Sequence, residues 1–426
     1  MNRRSMVKTL AVSAVGALAM PTPVRADGFA PEEKGPPALA HLRNARWSED
    51  RAFRYMERVQ EIKGCNFVLS DGTNLFDEPD TALIRHEIGL ASEVAGLNAV
   101  RISVSMADFQ ISPDKLYANY ESFLDICHQN GIHVLTVLSL SGLDPDLDPT
   151  VVAAEKPELK YTPSVHGGGY RKGGRIGWPC CEPEGAVPQR TLAAWEKLKP
   201  VGEDFFHTFL KRYANDERIL LWDLYNEAPK AARPIVETVF SWAREIDPSQ
   251  PLSVCWQGHD LSDVITFHTY AKPGYETPNR EPQGWDLLNE LDWARAWNRP
   301  MVCTEWLARP FGNTVSSILP FFERYHIGWF CWGLCAGGPA QFTFPWHWPV
   351  ASPAPKEWFH CLLYPDGTPY SAEEILAIRE FRYRTVPRPQ LTQSYWNARS
   401  VDINLADSNA RLPGSGSVVS VPPGWS

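Results

Sequence analysis

The sequence has no excess of basic residues, and this excludes one large class of partners. It holds 41 Lys and Arg against 50 Asp and Glu, which gives a formal net charge of −9 at pH 7. A protein that binds nucleic acid needs a basic face, so no nucleic-acid partner is expected. The chain is also not depleted in apolar residues, since 44% are hydrophobic. This excludes disorder along the whole length.

Cysteine and histidine spacings typical of zinc sites are missing as well. The nine cysteines are scattered and form no C-x-x-C pair, so we expect no bound metal and no cofactor. Some fall in apolar, strand-like runs and are predicted to be buried free thiols: Cys65, Cys255, Cys303 and Cys331. Others lie in predicted loops, where a disulfide is left open: Cys180, Cys181, Cys335 and Cys361.

No long apolar run occurs after the N-terminus. There, Arg3 and Arg4 precede an apolar run from residue 9 to 20, and the small residues around Ala26 fit a cleavage site. The paired arginines fit either a twin-arginine signal or an ordinary secretory signal. The run is too short to span a membrane comfortably. We predict an export signal over residues 1–26 and a mature protein that is secreted or periplasmic, without a membrane anchor.

What the sequence does contain is an alternation of short apolar runs and segments of helical period. There are eight such runs: Cys65–Ser70, Ala99–Val104, His133–Leu140, Ile219–Tyr225, Leu252–Trp256, Val264–Tyr270, Met301–Thr304 and Ile327–Leu334. Eight strands alternating with helices predict an α/β fold of the closed (β/α)8 barrel type, the TIM barrel. An open doubly wound sheet would carry a Gly-rich phosphate turn after its first strand, and the segment from Asp71 to Asn74 is not one.

The same alternation sets the predicted domain limits. One catalytic domain covers residues 60–383, preceded by a linker at 27–59 and followed by a Ser-, Pro- and Gly-rich extension at 384–426. The stretch from Gly258 to Asp263 is too short for a full helix, so the fifth unit is expected to be degenerate. Long loops, at about 141–190 and 335–370, follow strands three and eight. Barrel enzymes build their sites at that end of the strands.

Two glutamates stand at predicted strand tips. Glu227 ends the predicted fourth strand, two residues past its apolar run, and Glu305 directly follows the seventh run. A buried carboxylate costs desolvation energy unless it has a partner or a task. A structural ion pair would explain one such residue. A pair of carboxylates at the mouth of one barrel is instead the arrangement that glycoside hydrolysis requires, with one acid to protonate the leaving oxygen and one nucleophile.

With these residues the chain resembles the clan A glycoside hydrolases, and most of all the family 5 or cellulase-like branch, over residues 60–383. The resemblance makes Glu227, in the pair Asn226-Glu227, the acid/base and Glu305 the nucleophile of a retaining mechanism. It also assigns Arg101 to contact the nucleophile and Asn226 to bind a sugar 2-hydroxyl.

Further positions match in strand order. The resemblance implies that His268 and Tyr270 form the His-x-Tyr motif of strand six, with Tyr270 donating to Glu305, and that Trp332 floors the sugar subsite. Taken singly, each could be a packing residue. Trp306 and Trp346 are either stacking platforms or packing residues. Strand three ends in Ser139-Leu140-Ser141, where many family members have His, which leaves the substrate subsite open.

The sequence therefore predicts a retaining β-glycosidase acting on a β-linked glucan, mannan or xylan, or on an oligosaccharide of these. It needs no cofactor and no obligate protein partner. A carbohydrate-binding pseudoenzyme and a transglycosylase on the same barrel remain alternatives. A metal-dependent barrel enzyme is disfavoured, because it would need converging His, Asp or Glu ligands at several strand tips.

Overall fold

A computed structural model describes residues 40–59, 61–71, 74–76, 79–140, 187–228, 230–274, 286–336 and 357–383. Within these ranges the chain forms eight strands, each of which overlaps one predicted run. They are β1 Lys63–Asn66, β2 Ala99–Ser105, β3 His133–Ser139, β4 Ile219–Asp223, β5 Leu252–Ser253, β6 Ile265–His268, β7 Met301–Glu305 and β8 Gly328–Trp332.

All paired strands are parallel, in the order β5-β4-β3-β2-β1-β8-β7-β6. The two ends of this sheet, β5 and β6, meet through single hydrogen bonds. The Ser253 hydroxyl donates to the carbonyl of Val264 (2.8 Å) and lies 2.6 Å from the hydroxyl of Thr266. The backbone N–H of Asp263 donates to the carbonyl of Leu252 (2.8 Å). The sheet is thus a nearly closed (β/α)8 TIM barrel, as predicted.

Helices connect most of the strands. Those in the described ranges are α1 Ala40–Asn44, α2 Glu49–Met56, α3 Thr81–Glu93, α4 Met106–Ile111, α5 Pro113–Gln129, α6 Val187–Phe205, α7 Arg233–Ile246, α8 Leu287–Arg295, α9 Val315–Tyr325 and α10 Ala372–Glu380. Between β5 and β6 the chain forms no helix, so the fifth unit is degenerate, as its length predicted. Among the described residues, no helix combines the length and apolar character needed to cross a membrane.

Close packing fills the barrel interior. Leu135, Leu221, Val302 and Phe330 belong to a cluster of buried apolar residues from different strands. Gly64 of β1 is required there, because a Cβ at this position would come within 2.3 Å of the Phe330 ring and 2.9 Å of the Ala99 carbonyl oxygen. Contacts this short do not occur between real atoms, so only glycine lets β1 pack against Phe330.

The segment predicted as an N-terminal linker contains α1 and α2. Tyr55 of α2 packs against the interior cluster and donates to the carbonyl of Leu220 (3.1 Å). The backbone N–H of Trp47 donates to Asp263 (2.8 Å). These contacts lie near the starts of β4 and β6, at the end of the barrel opposite the strand tips. Residues 40–59 are therefore part of the folded domain, and the prediction that they form a linker was wrong.

Candidate active site

Glu305 is the last residue of β7 and is 2% exposed. Its Oε1 accepts a hydrogen bond from Nη1 of Arg101 (2.7 Å). Its Oε2 accepts from Nε1 of Trp332 (2.8 Å) and from the hydroxyl of Tyr270. These donors hold the buried carboxylate in one fixed orientation, and the positive charge of Arg101 favours its negative charge.

Arg101 lies on β2 and links several strand tips. Besides Glu305, it donates from Nη1 to Oδ1 of Asn66 (2.7 Å), and from Nη2 to Asp223 (3.0 Å) and Asn226 (2.5 Å). Burial alone would lower the pKa of Arg101, but the charges of Glu305 and Asp223 outweigh it and raise that pKa above its ordinary value. Arg101 therefore stays charged, and the predicted contact with Glu305 is present.

Asp223 and Asn66 are site residues that the sequence analysis missed. Asp223 ends β4 with no exposed surface, and Asn66 ends β1, where its amide donates to the carbonyl of Thr304 (2.9 Å). Burial raises the pKa of Asp223, and the charge of Arg101 acts against that rise. An acidic residue inside the apolar run Leu221–Leu224 was the signal that could have identified Asp223.

Glu227 lies in the turn after β4, since the strand ends at Asp223 rather than at Glu227 as predicted. Its φ of +48° is left-handed, a conformation that costs a non-glycine residue roughly 1 kcal/mol or more. This turn presents a side chain that is 14% exposed, unlike the buried Glu305. Oε1 of Glu227 lies 2.8 Å from Nδ1 of His268, the last residue of β6.

The two glutamates and His268 form one compact group. Nδ1 of His268 is 3.4 Å from Oε2 of Glu305. One carboxylate oxygen of each glutamate and a ring nitrogen of His268 all lie within 4.8 Å of one another. This set of atoms could also hold a metal ion, so the structure does bring a His and two Glu side chains together, contrary to our reasoning about the strand tips. The charge of Arg101 beside Glu305 opposes such an ion.

Tyr270 and Trp332 complete the surroundings of Glu305. Burial raises the pKa of Tyr270 well above its ordinary value, and the charge of Glu305 raises it further, so the phenol stays protonated and donates. Trp332 is 4% exposed and its Nε1 also lies 2.8 Å from the Tyr270 oxygen. The indole N–H of Trp332 is thus held by two acceptors, Oε2 of Glu305 and the hydroxyl oxygen of Tyr270. That it floors a sugar subsite stays a prediction.

The two remaining tryptophans of the predicted site differ in outcome. Trp306 has no exposed surface and packs edge-on against Phe322 and Trp329, with ring centroids 5.4 Å away in each case. A ring enclosed in the core cannot stack on a sugar, so of its two predicted roles packing is correct and the platform is wrong. Trp346 lies outside the described residues.

Cysteine chemistry plays no part in this group of residues. The cysteines of the described ranges are buried free thiols, including the predicted Cys65, Cys255, Cys303 and Cys331. Cys335 and Cys361, for which a disulfide was left open, are free too. Burial raises the pKa of the Cys65 thiol well above its usual value, so this thiol is not a nucleophile. Cys180 and Cys181 lie outside the described residues.

Comparison with known proteins finds similarity to solved structures only. No protein-family model matches the chain, and no curated protein sequence matches it. Among solved structures, GH5_18 from Streptomyces cattleya in complex with GlcNAc is similar with a TM-score of 0.50 and 13% identity, over 82% of this chain and 93% of that one. A family 5 mannosidase from Rhizomucor miehei is similar with a TM-score of 0.48 and 13% identity, over 79% of this chain and 94% of that one. The chain has the barrel fold of the glycoside hydrolase family 5 structures.

Proposed function

We propose that the chain is a retaining β-glycosidase of the family 5 type, with Glu305 as nucleophile and Glu227 as acid/base. Its substrate is a β-linked glucan, mannan or xylan, or an oligosaccharide of these, and no cofactor is needed. One observation carries the proposal: a buried glutamate held by Arg101, Tyr270 and Trp332 lies beside a second, partly exposed glutamate that contacts His268.

The spacing of the carboxylates supports the retaining mechanism. An oxygen of Glu227 and an oxygen of Glu305 lie within 4.8 Å of each other. Retaining enzymes hold their carboxyl groups about 5–5.5 Å apart, whereas inverting enzymes leave about 6.5–9.5 Å for a water molecule between acid and base. A closest approach below 4.8 Å therefore fits the retaining arrangement better than the inverting one.

Double displacement assigns one task to each residue. Glu305 attacks the anomeric carbon while Glu227 gives its proton to the glycosidic oxygen, so that the C–O bond to the leaving sugar breaks and a glycosyl ester forms. Water then attacks the same carbon as Glu227 takes its proton, and Glu305 is released. The hydrogen-bond donors around Glu305 stabilise its charge and hold its attacking oxygen in position, which lowers the activation free energy.

Two variants of this function share the geometry. A transglycosylase would pass the same glycosyl ester to a sugar instead of water. A carbohydrate-binding pseudoenzyme would bind without cleavage, and the intact pair of carboxylates with their donors argues against it. Product analysis separates the first from hydrolysis, and the activity screen below separates the second.

A metal-dependent hydrolase is the second candidate, favoured by the grouping of Glu227, His268 and Glu305 within 4.8 Å. The positive charge of Arg101, 2.7 Å from Glu305, and the donors on Oε2 of Glu305 compete with a cation for that carboxylate. A metal-dependent enzyme would lose activity after dialysis against a chelator and regain it with Zn²⁺ or Mn²⁺. We expect the rate of hydrolysis to be unchanged by the chelator and by either added metal.

The location of the protein is also a proposal. Residues 1–26 act as an export signal, and the mature chain is secreted or periplasmic. Amino-terminal sequencing of protein collected outside the cytoplasm should begin near Asp27. A chain that still begins at Met1 there would contradict the cleavage.

The test of the function is a reducing-sugar screen of the purified protein on cellulose oligomers, glucomannan, mannan, xylan and mixed-linkage glucan, with Glu305→Ala as control. Release from one polymer, absent in the variant, supports the glycosidase. Proton NMR of the first product formed must then show the β anomer. An α anomer as first product would refute retention, and a folded protein that binds a polymer without cleaving it would favour the pseudoenzyme.

A further inference from the structure

Trp256 follows β5 and stands directly beside the proposed acid/base. Its backbone pairs with that of Ala228, the residue after Glu227, in an isolated parallel bridge. Its ring meets the ring of His268 edge-on, with centroids 5.8 Å apart and planes at 64°. Because Nδ1 of His268 contacts Glu227, Trp256 belongs to the acid/base side of the site.

The backbone of Trp256 is held in a conformation that a tryptophan rarely adopts. Its φ is +66°, and Glu227, one residue from its bridge partner, has φ +48°. Left-handed backbone at two large neighbouring residues is strained, and such strain is found mostly where a site over-determines the chain. A glycine would adopt this φ freely, so a tryptophan at this position is kept at a cost in backbone strain.

The indole N–H of Trp256 is the second observation. Nε1 is buried and has no hydrogen-bond partner among the described residues, although the side chain as a whole is partly exposed. Trp332, on the nucleophile side, differs because its Nε1 donates to Glu305. A buried donor without an acceptor is costly, and a ligand oxygen would relieve that cost.

The chemistry assigns this side of the site to one part of the substrate. The acid/base must reach the glycosidic oxygen, so the departing sugar lies on the side of Glu227, and the sugar that becomes bound to Glu305 lies on the side of Trp332. An indole offers both a flat apolar face and a donor, which together suit the C–H face and a hydroxyl of a pyranose.

We infer that Trp256 binds the leaving-group sugar, and the acceptor that replaces it, through its indole face and its Nε1 donor. This inference rests on the proposed function. It deepens that function, because it names the residue that holds the sugar on the far side of the cleaved bond. It also gives the glycosyl ester a built place for a sugar acceptor.

The test separates the leaving-group side from the rest of catalysis. The enzyme is first trapped as its glycosyl ester with a dinitrophenyl 2-deoxy-2-fluoro-β-glycoside of the sugar identified in the screen. Excess reagent is then removed, and the return of activity is followed in buffer alone and with added disaccharide acceptor. The proteins compared are wild type, Trp256→Phe, Trp256→Ala and Trp297→Phe. Trp297 is a matched control, a partly buried tryptophan that packs against Arg46 at the opposite end of the barrel.

We expect all the proteins to be trapped, and to recover in water, at similar rates, which also shows that each is folded. The acceleration by disaccharide should fall about tenfold or more in Trp256→Ala, which corresponds to 1.4 kcal/mol of lost contact, with Trp256→Phe between Ala and wild type. An acceleration that is equal in all the proteins would overturn the inference alone. Failure of the wild type to form any trapped ester would refute the retaining glycosidase, and the inference with it.

Discussion

The Nδ1 atom of His268 lies 2.8 Å from Oε1 of Glu227. The histidine is fully buried and its other ring nitrogen, Nε2, has no partner among the described residues. The ring therefore has its polar contact on the side of the carboxylates. Under the proposed function, we expect this position to let His268 orient the proton of the acid/base.

Replacement of His268 tests this orientation. His268→Asn keeps a polar atom near the position of Nδ1, whereas His268→Leu removes it. We expect His268→Leu to lower kcat/KM on an oligosaccharide about 100-fold, because protonation of a poor leaving group is misaligned, and His268→Asn to retain more activity. The measurement compares each variant on the oligosaccharide and on a dinitrophenyl glycoside. Equal losses on both substrates would contradict a role in proton transfer.

The roles of the two glutamates are separable by leaving group and by azide. Glu227→Ala should lose about 1,000-fold on oligosaccharides and much less on activated aryl glycosides, which need little protonation to depart. Azide should rescue Glu227→Ala with formation of a β-glycosyl azide, and Glu305→Ala with formation of an α-glycosyl azide, since it enters the space vacated in each variant. NMR of the two products checks the assignment, and exchanged anomers would reverse the roles.

The buried pair of Arg101 and Asp223 is expected to support both stability and the site. Asp223→Asn removes one of the two carboxylates that pair with the buried guanidinium of Arg101. Breaking such a buried pair lowers the free energy of unfolding by roughly 3 kcal/mol. Urea unfolding measures this loss. Asp50→Asn removes an exposed partner of Arg54, 2.5 Å away, and should change stability by less than about 0.5 kcal/mol. If both variants were equally stable, Asp223 would have no structural role.

Glu87 predicts a pH dependence of stability with a sign opposite to that of ordinary carboxylates. Its Oε1 accepts from the backbone N–H of Ser70 (3.1 Å), Oε2 has no partner among the described residues, and burial raises its pKa to about 7. The folded state then holds a proton that the unfolded state releases near its ordinary pKa of 4.5. Stability from this group is present below that pKa and is lost as pH rises to about 7.

Glu87→Gln should remove this dependence. The variant should be more stable than wild type at pH 8 by about 1 to 3 kcal/mol, and the two should converge near pH 4. Urea unfolding at both values of pH measures the difference. Glu93→Gln, an exposed change on the same helix α3, is the control. A wild type that gains stability between pH 5 and 8 relative to Glu87→Gln would contradict the assignment.

The fold could be predicted because it depends on local pattern, whereas most of the site residues followed from the resemblance to family 5. The eight apolar runs predicted the strands, and Gly96 and Gly131, each with φ +67°, follow the ends of helices α3 and α5. Arg101, Tyr270 and Glu305 meet because parallel strand tips converge on one end of a barrel.

Other features depend on distant partners and could not be predicted. Trp306 is enclosed by Phe322 and Trp329, which are close only in the folded chain. Helices α1 and α2 were missed because short segments with few apolar residues carry little periodic signal, and their contacts to the base of the barrel come from distant parts of the sequence. Trp256 looked like the end of a buried strand until its φ and its indole nitrogen were known.

The closure of the barrel between β5 and β6 has a consequence for heat resistance. Glu227 stands on the β4 side of this junction and His268 on the β6 side, so their hydrogen bond crosses the place where the sheet is joined by isolated contacts such as that of Ser253 with Thr266. If Glu227 is the proton donor, local opening at this junction would part it from His268 while the other strand pairs stay intact. We therefore expect activity to be lost on heating below the temperature at which the sheet itself melts.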